Sequence, residues 1–336
     1  MKAIVVEESF GLENIKIQEL SKPTIKDNEV LIKVEAGSLN YLDLLVVKGK
    51  FGKQNFDFPH IIGTNIAGRV VEVGTHAENI NVGDLVCNHY YQTWQSGVFK
   101  EGNNDARPGT YLKGVFSEYI ALPAYACVPI PSNLSTTEAA ALPIAGLTAW
   151  EALVTEGKLI AGQTILIKGT GGVSVFALQF AKMLGAKAIV TSSADEKLEK
   201  ATALGANVTL NYKTNSNWKQ DVLAETAGQG VDLVLEVTGA ELNESLDYLA
   251  LNGKIIVSGF LSGTKANLDI LTFMERKATI FSTKVGSKAS FIDMNRAIEI
   301  NNIKPFIGKI FPLDKFKEAF DHLEYGKHFG KVIITF

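Results

Sequence analysis

Cysteine is almost absent from this chain: Cys87 and Cys127 are the only two thiols in 336 residues. They cannot build a disulfide framework or a four-cysteine zinc site. Their separation also excludes a finger-type site of two cysteines and two histidines. Such sparing use of cysteine fits a reducing cytosol, so the expected location is cytoplasmic. Long hydrophobic runs are missing too. No stretch reaches the roughly 18 apolar residues that argue for a membrane-spanning helix, and residues 1–8 meet charge too soon for a signal peptide. Basic blocks are also lacking: 33 Lys and Arg stand against 36 Asp and Glu, a net charge of −3. Neither nucleic acid nor a membrane is therefore an expected partner. There is no internal repeat and no low-complexity tract.

What is present is a globular composition, 46% hydrophobic and 21% charged, which excludes a disordered chain. The length suggests two domains. Residues 1–123 read as short strands (29–34, 66–73, 85–87, 116–122) punctuated by Gly63, Gly68, Gly74 and Gly83. That spacing predicts an antiparallel, partly closed barrel with glycines at turns or bulges. From about residue 137 helix and strand alternate. Helix 138–156, interrupted by Pro143 and Gly146, is followed by strand 164–167, helix 173–184, strand 188–191 and helix 195–204. Strand 208–210, helix 218–226, strand 233–236, helix 242–249 and strand 254–258 complete the series. Continuous apolar strands alternating with helices predict a doubly wound parallel sheet, hence an α/β fold. The tail reads as an edge strand (278–282), helices 291–300 and 316–323, and a last strand 332–336. The tail can rejoin the barrel, so the domains are set at 1–128 with 287–336, and at 129–286.

Strand 164–167 runs into Lys168-Gly169-Thr170-Gly171-Gly172-Val173-Ser174 and then a helix. A lone Gly-x-Gly is weak, but strand before, helix after and a second strand beyond are the context of a dinucleotide fingerprint. Gly169 makes the tight turn, Gly171 lets backbone approach a pyrophosphate, and N–H groups at the helix start face it. The second strand ends in Thr191-Ser192-Ser193, where an NAD site wants an acid for the ribose 2′-hydroxyl. Small neutral residues leave room for a 2′-phosphate, with Lys197 close enough in sequence to pair with it. Read blandly, Lys197 is a solvated helix residue and Ser192 a helix cap.

Six stretches, in this order, carry a resemblance over essentially the whole chain: 36–43 (AGSLNYLD), 63–68 (GTNIAG), 145–150 (AGLTAW), 169–174 (GTGGVS), 253–256 (GKII) and 328–332 (HFGKV). The sequence resembles the medium-chain dehydrogenase/reductase superfamily, and within it the zinc-type alcohol dehydrogenase-like branch near the NADPH:quinone reductases. The resemblance implies a GroES-like barrel domain plus a Rossmann domain in a homodimer. A dimer also suits the short apolar edge strand 278–282, which invites pairing with its copy. The resemblance makes NADP(H) the cofactor. It places Asn40, Thr148, Gly169, Thr170, Gly171, Gly172, Val173, Ser192, Lys197, Tyr212, Val237, Thr238, Gly259, Phe260, Leu261, Gly330 and Lys331 around it. Asn40 is also expected to hydrogen-bond substrate, and Asp43 to be structural.

Zinc ligands do not carry over. The Cys, His-Glu and Cys positions of the zinc dehydrogenases correspond to Asn40, Thr64-Asn65 and Ile144, and the proton-relay Ser/Thr to Leu42. Residues 88–115 hold none of the cysteines of a structural zinc lobe. The Tyr that related reductases carry is Phe51, which has no hydroxyl. Tyr41, His89 and Tyr91 are candidate replacement donors, though each also reads as a packing or rim residue; Asn40 and Tyr41 are the expected catalytic pair. Segment 88–114, rich in Tyr and Gly, reads either as a substrate mouth or as cover for the barrel. The expected function is zinc-independent, NADP(H)-dependent reduction of quinones, enones or related apolar carbonyl compounds. The alternatives are an enoyl-thioester reductase and a non-catalytic NADPH-binding sensor or crystallin-like protein.

Overall fold

The computed structural model describes residues 1–52 and 56–336 as two compact units: Met1–Leu147 with Gly286–Phe336, and Thr148–Val285. The first begins with β1 (Lys2–Val6), β2 (Ile15–Glu19), β3 (Glu29–Leu39), α1 (Tyr41–Val47), β4 (His60–Ile61), β5 (Ile66–Val73), β6 (Leu85–Asn88), β7 (Tyr119–Pro123), β8 (Cys127–Pro129) and α2 (Thr136–Ala139). After α3 (Leu147–Trp150) come β9 (Thr164–Lys168), α4 (Gly172–Met183), β10 (Lys187–Ser192), α5 (Asp195–Ala203), β11 (Val208–Asn211) and α6 (Trp218–Glu225). The second unit ends with β12 (Val231–Glu236), β13 (Leu249–Val257), α7 (Ile270–Glu275) and β14 (Thr279–Ser282). The chain then returns to the first unit as α8 (Lys288–Ile300), β15 (Ile307–Pro312), α9 (Phe316–Glu324) and β16 (Lys331–Thr335).

The first unit reaches Leu147, where the sequence pattern set the boundary at 128/129. Residues beyond 128 are tied back by polar bonds: Thr136 Oγ1 donates to Glu35 and Cys87 Sγ to Ala139 O. β3 is the spine, pairing antiparallel with β5, β7 and β16. Its register shifts opposite Gly68, where a Cβ would come within 2.2 Å of Lys33 O; only glycine permits this bulge, which bends the sheet. Gly63, at φ +94°, likewise lets the chain pass the Phe116 ring. Ile32, Val34, Ile66, Val70, Phe116 and Ile334 lie in the core. Phe316, Phe320 and Leu323, on one stripe of α9, pack into the same core.

The second unit is a six-stranded parallel sheet in the order β11-β10-β9-β12-β13-β14, the doubly wound arrangement. Its strands are buried apolar runs such as Ile165–Ile167 and Leu233–Leu235, as a sheet covered on both faces requires. Two sequence expectations fail locally. Residues 242–249 are not a helix: one 3₁₀ turn (Glu244–Leu246) leads directly into β13, which starts at Leu249. Leu246, Tyr248 and Leu249 are all fully buried, and Val231 N already donates to Tyr248 O, so strand pairing captures this segment. In residues 138–156 the interruption falls at 140–141 rather than at Pro143 and Gly146: 142–156 runs through both as alternating π and α turns. No helix among the described residues is long and apolar enough to cross a membrane.

Candidate functional site

In the second unit β9 ends at Lys168 and α4 starts at Gly172. Gly169 takes φ +74°, and a Cβ built on it would meet nothing nearer than Val237 Cγ2 at 4.0 Å, so the turn faces open space. Gly171 is the N-cap and offers no side chain to the first N–H groups of the twelve-residue helix. Those donors have no intrahelical acceptors, and the helix dipole adds positive potential. Ser174 Oγ donates back to Lys168 O (2.9 Å), tying helix to strand. The turn thus fits the phosphates of a dinucleotide.

β10 and β11 pair with Ser192 opposite Asn211, which sets Ser192 and Tyr212 on one sheet edge. Tyr212 N donates to Ser192 O (3.1 Å), and Lys197 sits in the first turn of α5. Asp195 is engaged: its Oδ1 accepts from Asn211 Nδ2 at 2.6 Å. Burial pushes the Lys197 ammonium down from its ordinary pKa, with Glu196 opposing. Val237, Thr238, Gly259, Phe260 and Leu261 follow the ends of β12 and β13. There Leu261 N donates to Val237 O and Ser262 N to Thr238 O. Thr170 and Thr148 are nearly buried.

Two charged residues at these strand ends escaped the sequence reading. Lys168 Nζ donates to Glu236 Oε2 (2.8 Å) and lies 3.2 Å from Glu241. Burial opposes the charge on Lys168, but Tyr248, Glu236 and Glu241 outweigh it and hold the pKa above the ordinary lysine value. Burial would raise the Glu236 pKa, but Lys168 and Thr238 keep it low. The signal was available: a Lys and a Glu each end an apolar run, Ile165–Ile167 and Leu233–Leu235.

In the first unit β3 delivers Asn40 to the start of α1, where Asn40 N donates to Asp43 Oδ2 (2.7 Å) in a capping box. Lys331, first residue of β16, donates from Nζ to Asn40 Oδ1 and to Leu39 O, both at 2.7 Å. Asn40 Nδ2 donates to Thr64 Oγ1 (3.0 Å), and Thr64 donates to Asp43 Oδ1 (3.0 Å). With its amide turned to suit its neighbours, Asn65 accepts from Asn40 Nδ2 (3.2 Å) and Ile144 N (3.3 Å). Asn40, Thr64, Asn65 and Ile144, separated in sequence, are thus joined in one network. Burial drives the Asp43 pKa up to about 6 against the pull of Asn40, Thr64 and Lys331. It drives Lys331 down to about 7, with Asp43 opposing.

The other candidate donors divide. Tyr41, beside Asn40, is 43% exposed. His89 is fully buried with Nε2 bonded to Gly286 O (3.0 Å), and Tyr91 is packed edge-on against Tyr90, Trp94 and Phe99. Arg107 lies over the Tyr91 and Tyr111 rings, so part of segment 88–114 is an aromatic knot around a guanidinium. Gly330 takes φ +70° just before Lys331.

A parallel sheet in this strand order, with a glycine turn after its first strand that fits phosphates, is the Rossmann type of dinucleotide fold. Comparison with known proteins narrows this. Residues 26–132 match the model of the alcohol dehydrogenase GroES-like domain and residues 172–299 that of zinc-binding dehydrogenase. A zinc-type alcohol dehydrogenase-like protein of Schizosaccharomyces pombe is 38% identical over 99% of both chains. The NADPH-dependent alkenal/one oxidoreductase of Arabidopsis thaliana is 30% identical over 99% of this chain and 79% of its own. A crystal structure of an NAD-dependent alcohol dehydrogenase superposes with a TM-score of 0.91 at 32% identity, covering 100% of both chains. The chain belongs to the medium-chain dehydrogenase/reductase superfamily, in its alcohol dehydrogenase-like branch. It is an oxidoreductase of a family that binds a nicotinamide cofactor and acts on small molecules.

Proposed function

We propose that the protein is a zinc-independent, NADP(H)-dependent reductase of quinones, enones or related apolar carbonyl compounds. The observation that carries this reading is the Lys331–Asn40–Thr64–Asp43 network. Zinc wants three Cys, His or acidic ligands and an open position. Here the corresponding positions offer an amide, a hydroxyl, a second amide and an isoleucine backbone, with an ammonium 2.7 Å from the Asn40 oxygen. That donor set does not fit zinc. Without a metal to lower an alcohol's pKa, oxidation of simple alcohols is disfavoured. Reduction of an acceptor that already stabilises incoming charge is the easier reaction.

Gly169, Thr170, Gly171, Gly172 and Val173 would hold the pyrophosphate, and Ser192, Lys197 and Tyr212 the 2′-phosphate. Thr148, Val237, Thr238, Gly259, Phe260 and Leu261 would line the rest of the cofactor. When bound, NADPH supplies a hydride to the acceptor. The acceptor oxygen then needs a proton donor. Asn40 is poorly suited, because Thr64, Asn65 and Ser38 already take its amide hydrogens. The exposed Tyr41 hydroxyl is the better donor; Asn40 and Lys331 position the backbone from which Tyr41 springs. The names of relatives pull both ways on the cofactor, since an NADPH-dependent enone reductase and an NAD-dependent alcohol dehydrogenase are both similar.

The test is a turnover screen of the enzyme, before and after chelator treatment, with NADPH and NADH against quinones, enones and aldehydes and with NADP⁺ and NAD⁺ against ethanol. NADPH-driven quinone or enone reduction is expected, with Lys197→Ala weakening NADPH selectively and Tyr41→Phe lowering kcat about 10²-fold. Equal use of NADH, or chelator-sensitive ethanol oxidation as the main activity, would overturn the reading.

A further inference from the structure

The Glu236 carboxylate is saturated by five donors from three places in the second unit. On Oε1 it accepts from Thr238 N (2.7 Å), the Thr238 hydroxyl and Gly239 N (3.2 Å). On Oε2 it accepts from Lys168 Nζ (2.8 Å) and Ser245 Oγ (3.0 Å). One oxygen therefore folds the loop after β12, while the other is anchored on the residue preceding Gly169. The loop passes this constraint on, because Ser262 N donates to Thr238 O (2.8 Å) and Leu261 N to Val237 O (3.3 Å). The two segments approach so closely that side chains are excluded at two positions. A Cβ on Gly259 would fall 2.4 Å from Val237 O, and one on Gly239 2.6 Å from Gly263 O. Segments 237–239 and 259–262 are thus interlocked, and both hang from Glu236.

We propose that Glu236 is a positioning residue for the dinucleotide, clamping the loops after β12 and β13 to the phosphate turn through Lys168. The clamp rests on the cofactor reading above and deepens it. An anion is needed, because every group facing the carboxyl is a donor. A neutral amide of the same shape must turn its NH₂ toward either the loop donors or Lys168 and Ser245, losing one set of bonds. The titratable groups around the carboxylate are Lys168 from β9, Glu241 and Glu244 from the stretch between β12 and β13, and Tyr248 just before β13. Removing the Lys168 charge leaves a buried carboxyl among acids and a phenol, so it should take up a proton more readily.

The experiment titrates NADP⁺ and NAD⁺ into the full chain by intrinsic fluorescence. Circular dichroism confirms folding of Glu236→Gln, Thr238→Val and Lys168→Met. Loss of charge-assisted bonds predicts about 10-fold weaker binding for Glu236→Gln and a smaller loss for Thr238→Val, which leaves the ion pair intact. For Lys168→Met, binding relative to the parent should weaken as pH falls from about 8 to about 5.5. A role in stability alone would not create that pH dependence in folded protein. Parent-like affinity for Glu236→Gln overturns the clamp. If that variant or Lys168→Met does not fold, parent-like affinity for Thr238→Val overturns it. Ratios are taken with whichever dinucleotide the parent prefers. A parent preferring NAD⁺ therefore overturns the NADP(H) assignment while these ratios still decide the clamp.

Discussion

Each unit buries a lysine and a carboxylate, yet the two pairs behave in opposite ways. Lys168 touches Glu236 directly at 2.8 Å, and contact keeps both ionised: the lysine is held above its ordinary pKa and the glutamate below. Lys331 and Asp43 are bridged by Asn40 and Thr64, and desolvation dominates at each end. Lys331 falls to about 7 and Asp43 rises to about 6. Burial of charge costs several kcal/mol per ion, which only short contacts and further hydrogen bonds offset. A direct pair therefore makes a fixed strut, while the same charges set one amide and one hydroxyl apart make a group poised to titrate near neutrality.

The largest effect that would break this contrast is on stability. Lys168→Met strands the Glu236 carboxylate and should cost about 3–5 kcal/mol at pH 7. Lys331→Met should cost less, because Lys331 is already partly neutral there and Asp43 keeps its bonds to Asn40 and Thr64. Urea unfolding of both variants decides the matter, and equal losses would dissolve the distinction.

The next effect concerns acid, and it belongs to the first unit. His60 and His89 are pushed down to about 4 from 6.5, mainly by burial, with Lys113 adding for His60. A depressed histidine contributes stability that is complete above pH 6.5 and is lost as pH falls through 4. For two shifts of this size the loss is up to roughly 3 kcal/mol each. Asp43 works against it: with its pKa raised to about 6, its contribution is lost as pH rises through 6 and regained on acidification. Thermal melts at pH 7 and pH 4.5 should therefore show a net acid loss. His89→Gln, which can still donate to Gly286 O but cannot take a proton, should reduce that loss. An unchanged pH profile in this variant would remove His89 from the account.

Much of the architecture was legible because strand and helix periods differ. The apolar runs at 164–167, 188–191 and 233–236, with a helix after each of the first two, yield the parallel sheet almost residue for residue. The phosphate turn was legible because Gly169 and Gly171 sit where a strand hands over to a helix. Residues 242–249 have an apolar spacing that suits a helix, but Tyr248 and Leu249 are claimed by pairing with Val231. In the sequence Glu236 is only the end of a strand, since sequence shows a charge but not the five donors that converge on it. Asn40 reads as a donor to substrate because its type and position match those of the family. Lys331, 291 residues away, orients its amide inward, and no local pattern announces that.

The smallest predicted effect would turn one kind of pair into the other. Asn40→Asp places a carboxylate against Lys331 Nζ, where the amide oxygen now accepts at 2.7 Å. The new contact should stabilise the ammonium and raise the Lys331 pKa toward its ordinary value, as Glu236 does for Lys168. The gain is limited, because the second oxygen would face Ser38 O, Thr64 Oγ1 and the nearby Asp43. Thr64 has a single proton and would have to choose between two acids. A depressed lysine contributes stability that is complete above its unfolded pKa of about 10.4 and is lost as pH falls through the folded value of about 7. In Asn40→Asp that slope between pH 10 and pH 7 should flatten, by about 1.4 kcal/mol for each unit of pKa regained. The check is the stability of parent and variant across that range, using urea midpoints at constant m-value. A slope as steep in the variant as in the parent would mean that the bridging amide is not what keeps Lys331 poised near neutrality.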